Sequence, residues 1–416
     1  MATRAAAAPR KKKPKPKTKA DARQKPVEYN ILLTATLCLL AFGAVMVYSA
    51  SSAKTALQAN DAGTTFLVRY LIYGAIGLAA MTLISRRGLA VLAKITPPLL
   101  AVSFALLVAV KLPGIGVNVN GAQRWIGAGP LQFQPSELAK LALVLYAVKF
   151  LVDKPKSIRE PRLLVPLLGI FAVACLLVAT QPDLGTALVV AFTLVCLLIA
   201  AGIPMRYLLI GLGVGAGLVV IFAIMEPYRR ARLTAFLNPW EHASTSGFQA
   251  VQGQIALGSG GLTGVGIGES VQKAFYLPEA HTDFILAVIG EELGVLGVSA
   301  LLFLYGLVAY AGLRVAKAAR GRYAALLATG LTSLILCQAL LNTFAVLGLA
   351  PLTGVPLPFI SYGSSNLIVL LLGMGLLLNV ADGGKVNYKV VEGSKGARGH
   401  RSRGNSRARR AGAGGR

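Results

Sequence analysis

The chain has 416 residues, of which 55% are hydrophobic and 14% charged, and its mean hydropathy is +0.65. A water-soluble domain carries about 25% charged residues, so these proportions exclude a soluble enzyme and predict a polytopic membrane protein. The net charge of +26 would suit nucleic acid, but about half of the 42 Lys and Arg lie in two terminal tails, and no nucleic-acid partner is expected.

The first tail, residues 1–29, contains RKKKPKPKTK and is expected to be disordered. Ten apolar runs follow, near 30–50, 66–85, 89–111, 136–152, 163–180, 184–203, 206–226, 284–311, 323–348 and 359–381. Each is close to the roughly 20 residues that cross a bilayer as a helix, and β-barrel alternation is absent. The expected fold is therefore an all-α bundle of about ten transmembrane helices over 30–381. A second basic tail, 382–416, with RGHRSRGNSRARR, closes the chain. Arg86–Arg87, Asp153 to Arg162, Arg206 and Arg314 to Arg322 share one side with both tails, which predicts cytoplasmic termini and no cleaved signal peptide.

The opposite, outer side holds most of the informative residues. Arg124 and Trp125 precede a helix expected near Ser136, on which Glu137 and Lys140 are spaced i,i+3 and can pair. Asp183 in TQPDLGTA stands directly before a span, where a carboxylate caps a helix. The outer loop 227–283 is too long for a simple connection. It carries Arg229, Arg230 and Arg232 in an amphipathic stretch, then a glycine-rich run that weakly resembles a phosphate cradle. YLPEAHTDFILAVIGEELG places His281 and Asp283 at the last polar positions before hydrocarbon. Glu291 and Glu292 are expected about 12 Å further along, toward mid-membrane. The prolines of GVPLPFISYGSSNL give the tenth span a rigid start near Ser361. Cys38, Cys175, Cys196 and Cys337 lie inside apolar runs without metal-type spacing.

With NGAQRWIG, QPSELAK, QPDLGTA, GFQ, YLPEAHTDFILAVIGEELG and PLPFISYGSS in this order, the chain resembles the SEDS family (shape, elongation, division and sporulation). YLPEAHTDFI with GEELG is closer to the division-type branch than to the elongation-type branch, which tends to show ERHTDF. One departure is the last motif, SYGSS, which lacks the second glycine of the usual SYGGSS. The resemblance implies a glycosyltransferase that polymerises lipid II into glycan strands outside the bacterial cytoplasmic membrane at the division septum. It also implies a class B penicillin-binding protein and other divisome membrane proteins as partners, and Asp283 as the essential carboxylate.

Both readings fit one chemistry. Pyrophosphate departs without protonation, so a single base suffices, whereas glycosidases need two flanking carboxylates. Asp283 is expected to deprotonate the acceptor hydroxyl, or to bind a divalent cation such as Mg or Mn that does so. Arg124, Trp125, Glu137, Lys140, Asp183, Arg229, Arg230, His281 and Ser361 are the candidates for holding pyrophosphate or glycan. The alternatives are elongation duty, a flippase for lipid-linked precursors, and a non-enzymatic scaffold.

Overall fold

A computed structural model describes residues 25–383 apart from 58–63, 88, 120, 129–130, 226 and 274–275. Most of both basic tails, together with Asp61 and Glu226, lies outside the described residues. The first helix already begins at Val27, inside the segment read as tail.

Twelve helices follow in chain order: α1 Val27–Leu57, α2 Thr65–Ser85, α3 Leu89–Ala109, α4 Pro135–Asp153, α5 Val165–Ala179, α6 Leu184–Ala201, α7 Met205–Met225, α8 Pro227–Leu237, α9 Phe248–Ser259, α10 Ile285–Ala318, α11 Arg322–Val346 and α12 Ser364–Ala381. Ten of them fall on the expected spans, and α8 and α9 lie within the long loop. Among the described residues, eight helices are long and apolar enough to cross a membrane. The helix α7 is apolar from Tyr207 to its end at Met225. Charged side chains set α4 apart, and it is tolerated because protein encloses it: nearly its whole length is buried, Glu137 and Lys140 included.

Both ends of the described chain lie at one end of the bundle. Glu28 near the start of α1 pairs with Arg314 at 3.2 Å. Asn379 of α12 donates to the carbonyls of Ile84, Ser85 and Arg87, where α2 finishes. At the opposite end the structure departs from a plain helical bundle. A small antiparallel sheet, β1 Gly116–Val119, β2 Ala122–Ala128 and β3 Leu131–Phe133, precedes α4. Arg124 and Trp125 are thus strand residues, with Trp125 opposite Val117.

The ninth connection is the larger surprise. The helix read as one span from 284 is broken at Gly294, whose φ of 65° and ψ of −162° are not helical. Loop backbone fills the break: Val265 and Gly266 donate to the carbonyls of Glu291 and Glu292, and Val295 and Leu296 donate to those of Gly261 and Leu262. The glycine-rich run is therefore a packing surface for the break, not a phosphate cradle. A Cβ on Gly294 would lie 2.5 Å from the Gly264 nitrogen.

The half-helix Ile285–Leu293 is held near each of its ends by another helix, α11 at one and α1 at the other. Asn342, about 30 Å along α11 from Arg322, donates to the Asp283 carbonyl at 2.7 Å. Ser49, about 32 Å along α1 from Glu28, bonds Glu292. This corrects the expectation that Glu291 and Glu292 approach mid-membrane; both side chains are buried in protein near the end.

Substituting Gly294 by alanine should therefore be severe. It adds a side chain both where φ is positive and where loop backbone touches. We expect a loss of more than about 2 kcal/mol, read as a lower melting temperature in lipid nanodiscs, against less than about 1 kcal/mol for Gly306→Ala, which meets open space.

Candidate functional site

Asp283 stands just ahead of the half-helix, two residues before Ile285. Its main-chain carbonyl is held by Asn342, whose amide also donates to the Val355 carbonyl at 2.8 Å. One carboxylate oxygen accepts from Thr282 Oγ1 at 3.1 Å. A Cβ placed on Gly354 would lie 3.8 Å from the other oxygen. Asp283 therefore faces the segment Thr353–Val355.

Burial pushes the Asp283 carboxyl up to about 6. Its own amide and Thr282 oppose that shift, nearby Glu279 adds to it, and Arg232 pulls it back down. A carboxylate near 6 suits proton abstraction close to neutral pH better than an ordinary aspartate near 4 does.

The arginine at Asp283 is Arg232, and Arg230 is exposed. Two residues on a helix lie about 200° apart around the axis, so α8 cannot present both to one site. Arg232 also donates to the Leu352 carbonyl at 3.3 Å and lines a narrow cavity with Phe236, Gln254, Ala345 and Gly348. The Arg229 side chain lies outside those the structure describes.

A second cluster lies on the other face of the same segment. Gly185 packs so tightly there that a Cβ would lie 2.3 Å from Val355 Cγ2 and 2.6 Å from the Thr353 oxygen. Beside it, Asp183 caps α6 by accepting from the Thr186 amide at 3.1 Å and accepts from Gln134 Nε2 at 3.2 Å. Arg124 donates to the carbonyls of Gln181 and Pro182. Lys140 pairs with Glu137 at 2.9 Å and donates to Gln338 at 2.7 Å; Gln338 in turn donates to Asn366 and to the Pro356 carbonyl. The expected Glu137–Lys140 pair and Asp183 cap are both present, and Arg124 holds the turn that precedes the cap.

Other candidates are placed differently. The buried His281 ring packs among Phe66 and Tyr362, with centroids 4.4 and 5.7 Å away, and Glu279 Oε2 is 4.0 Å from its Nε2. Tyr362 in turn bonds Arg69. The Ser361 hydroxyl accepts from the Leu357 amide at 2.7 Å and so shapes the turn before α12. Trp125 is half-buried in the sheet. Among the described residues no three His, Cys, Asp or Glu side chains gather as a metal site. Asp283 does have the Glu279 carboxylate near it, and Mg²⁺-class ions are commonly held by one or two carboxylates plus substrate phosphates and water.

Sequence reasoning missed Arg69, Lys273, Gln338 and Asn342. Arg69 carries a signal, a cation inside an apolar run. Gln338 and Asn342 are polar residues on one helix face four apart, which reads equally well as helix packing.

Lys140→Met should destabilise the fold by about 3–5 kcal/mol, because it leaves Glu137 charged and unpaired in the interior. Adding Glu137→Leu should recover most of that loss; thermal unfolding of the two variants checks it.

The cell cycle protein family that comprises FtsW, RodA and SpoVE matches residues 30–385. Stage V sporulation protein E of Bacillus subtilis (strain 168) is 42% identical over 356 residues, covering 84% of this chain and 96% of the relative. The probable peptidoglycan glycosyltransferase FtsW of Geobacter sulfurreducens is 40% identical over 353 residues, covering 84% and 94%. Among solved structures, a chain from a peptidoglycan synthase complex coordinating polymerization and crosslinking superposes with a TM-score of 0.69 at 32% identity, covering 84% of this chain and 96% of that one. The rod shape determining protein RodA of Thermus thermophilus gives 0.62 at 32% identity, covering 84% and 95%. The chain belongs to the FtsW, RodA and SpoVE family of cell cycle proteins.

Proposed function

We propose that this membrane protein is a peptidoglycan glycosyltransferase that polymerises lipid II during division, with Asp283 as the general base. The observation that carries the reading is Asp283 itself. It is a partly buried carboxyl, raised to about 6, held by Asn342 and Thr282 beside Arg232 at the end of the bundle away from the termini. The name FtsW, shared by several relatives, supports division-type duty over elongation.

The reaction needs little else from the protein. The acceptor sugar's hydroxyl attacks the anomeric carbon of the donor, its proton passes to Asp283, and the bond to the lipid pyrophosphate breaks with inversion. The pyrophosphate leaves as an anion, so no second carboxyl is required as acid. Arg232 stands on the Asp283 side of Thr353–Val355 and would bind diphosphate through charge-assisted hydrogen bonds, whereas Lys140 is committed to Glu137 and Gln338 in the interior. The alternative role for Asp283 is to hold, with Glu279, a Mg²⁺ or Mn²⁺ ion that would neutralise phosphate charge.

The termini belong in the cytoplasm on this reading, with the site at the outer leaflet and the protein at the septum. A class B penicillin-binding protein is the proposed partner, in keeping with the peptidoglycan synthase complex whose chain shares this fold.

Asp283→Asn should abolish glycan polymer formation from labelled lipid II, a loss of at least about 10²-fold. The same variant should melt no lower than the parent at pH 7. An acid whose folded pKa is raised costs stability once pH climbs past its unfolded value near 4 toward about 6, and asparagine removes that cost. Polymer at the parent rate would take Asp283 out of the reaction; transbilayer movement of lipid II without polymer would instead indicate a carrier.

A further inference from the structure

We propose that Lys273, Glu292 and Ser49 form a clamp that positions Asp283, by fixing the half-helix Ile285–Leu293 against α1 and the loop that precedes it. The inference rests on the glycosyltransferase reading above. Lys273 Nζ lies 2.7 Å from Glu292 Oε1 and 3.1 Å from Ser49 Oγ. Ser49 Oγ in turn lies 2.6 and 2.7 Å from the two oxygens of Glu292. All three side chains are buried, with Glu292 fully so.

The three residues come from three separate parts of the chain. Lys273 belongs to the loop that delivers Asp283, ten residues ahead of it. Glu292 sits at the far end of the half-helix, nine residues beyond Asp283, and Ser49 belongs to α1. The neighbouring Glu291 extends the attachment by bonding Ser270 Oγ and the amides of Val271 and Gln272 at 3.0 and 3.4 Å. Loop, half-helix and α1 are thereby joined at one point.

The break at Gly294 makes that point matter. A continuous α10 would fix the direction of its first turns through its own hydrogen-bond ladder, but the ladder is interrupted two residues after Glu292. The half-helix instead takes its placement from loop backbone at the break and from side-chain attachments near its two ends, Asn342 at Asp283 and the clamp at Glu292. A buried ion pair is a weak stabiliser compared with apolar residues of the same volume, yet its bonds select one register. Register is what a reacting carboxylate requires, since about 1 Å of misplacement can cost about 10²-fold in rate. Lys273 and Glu292 do not touch substrate; they are positioning residues.

The test uses the full chain in lipid nanodiscs with K273M/E292M, which removes both charges together. Three properties are measured: melting temperature, amide hydrogen exchange over 276–293, and polymerisation kinetics with lipid II. The clamp predicts melting near the parent, exchange over 276–293 faster by at least about tenfold, and turnover reduced by at least about tenfold at unchanged KM. Parent-level turnover in the folded variant overturns the proposal. Should the double variant not fold, Ser49→Ala takes its place: faster exchange over 285–293 with a few-fold loss of turnover supports the clamp, and parent values for both overturn it. If the parent itself makes no polymer, the glycosyltransferase reading fails separately, and unchanged exchange over 276–293 still refutes the clamp.

Discussion

Backbone that is not helical can lie within a membrane only if protein supplies every hydrogen bond that water would have made. Side chains from the surrounding helices supply several of those bonds to the segment between α11 and α12. Tyr70 donates to the Phe359 carbonyl and Tyr305 to that of Pro358 at 2.6 Å. Gln338 serves Pro356, Asn342 serves Val355, and the Ser361 hydroxyl receives the Leu357 amide. Phe359 is held at a φ of 63°, a costly conformation for a residue with a side chain, and burial with these bonds holds it there. This segment is the wall on which both functional clusters are built. Asp183 and Lys140 approach it from one face, Asp283 and Arg232 from the other.

The same condition explains how charge is distributed. Lys140 and Glu137, and Lys273 and Glu292, are opposite charges paired within hydrogen-bond distance and almost fully removed from solvent. Each pair is close to neutral as a unit, which is how ionised groups are accommodated beside hydrocarbon. Asp283 differs from them. Its cation, Arg232, is the weakest of the influences on it, and burial dominates. An acid left without a dedicated partner, with its protonation equilibrium close to the working pH, is disposed for proton transfer more than for structural support. Holding it there costs stability, and the two attachments of the half-helix supply the placement.

Much of this was legible in the chain and some was not, for identifiable reasons. Apolar length located ten helices because a bilayer imposes that length. Local spacing was enough for the Glu137–Lys140 pair and the Asp183 cap, since each lies within one turn. The break in α10 was hidden because Gly294 sits in a stretch long enough to read as one span, where glycine reads as helix packing as easily as interruption. Glu291 and Glu292 were consequently placed too deep. Lys273 was overlooked because its partners are 19 and 224 residues away in sequence, and Arg230 was preferred to Arg232 because only the helix phase separates them. The sheet did leave a trace, Asn120-Gly121 between short β-prone stretches, which is a hairpin signal.

The central claim is that Asp283 must be ionised to take the acceptor's proton. The pH dependence of turnover at saturating lipid II tests it most directly. Activity should rise with pH through an acid limb centred near 6, in line with the burial-raised carboxyl, and level off above it. A profile that is flat from pH 5 to 8, or a limb falling near 4 where an unperturbed aspartate titrates, would contradict the account.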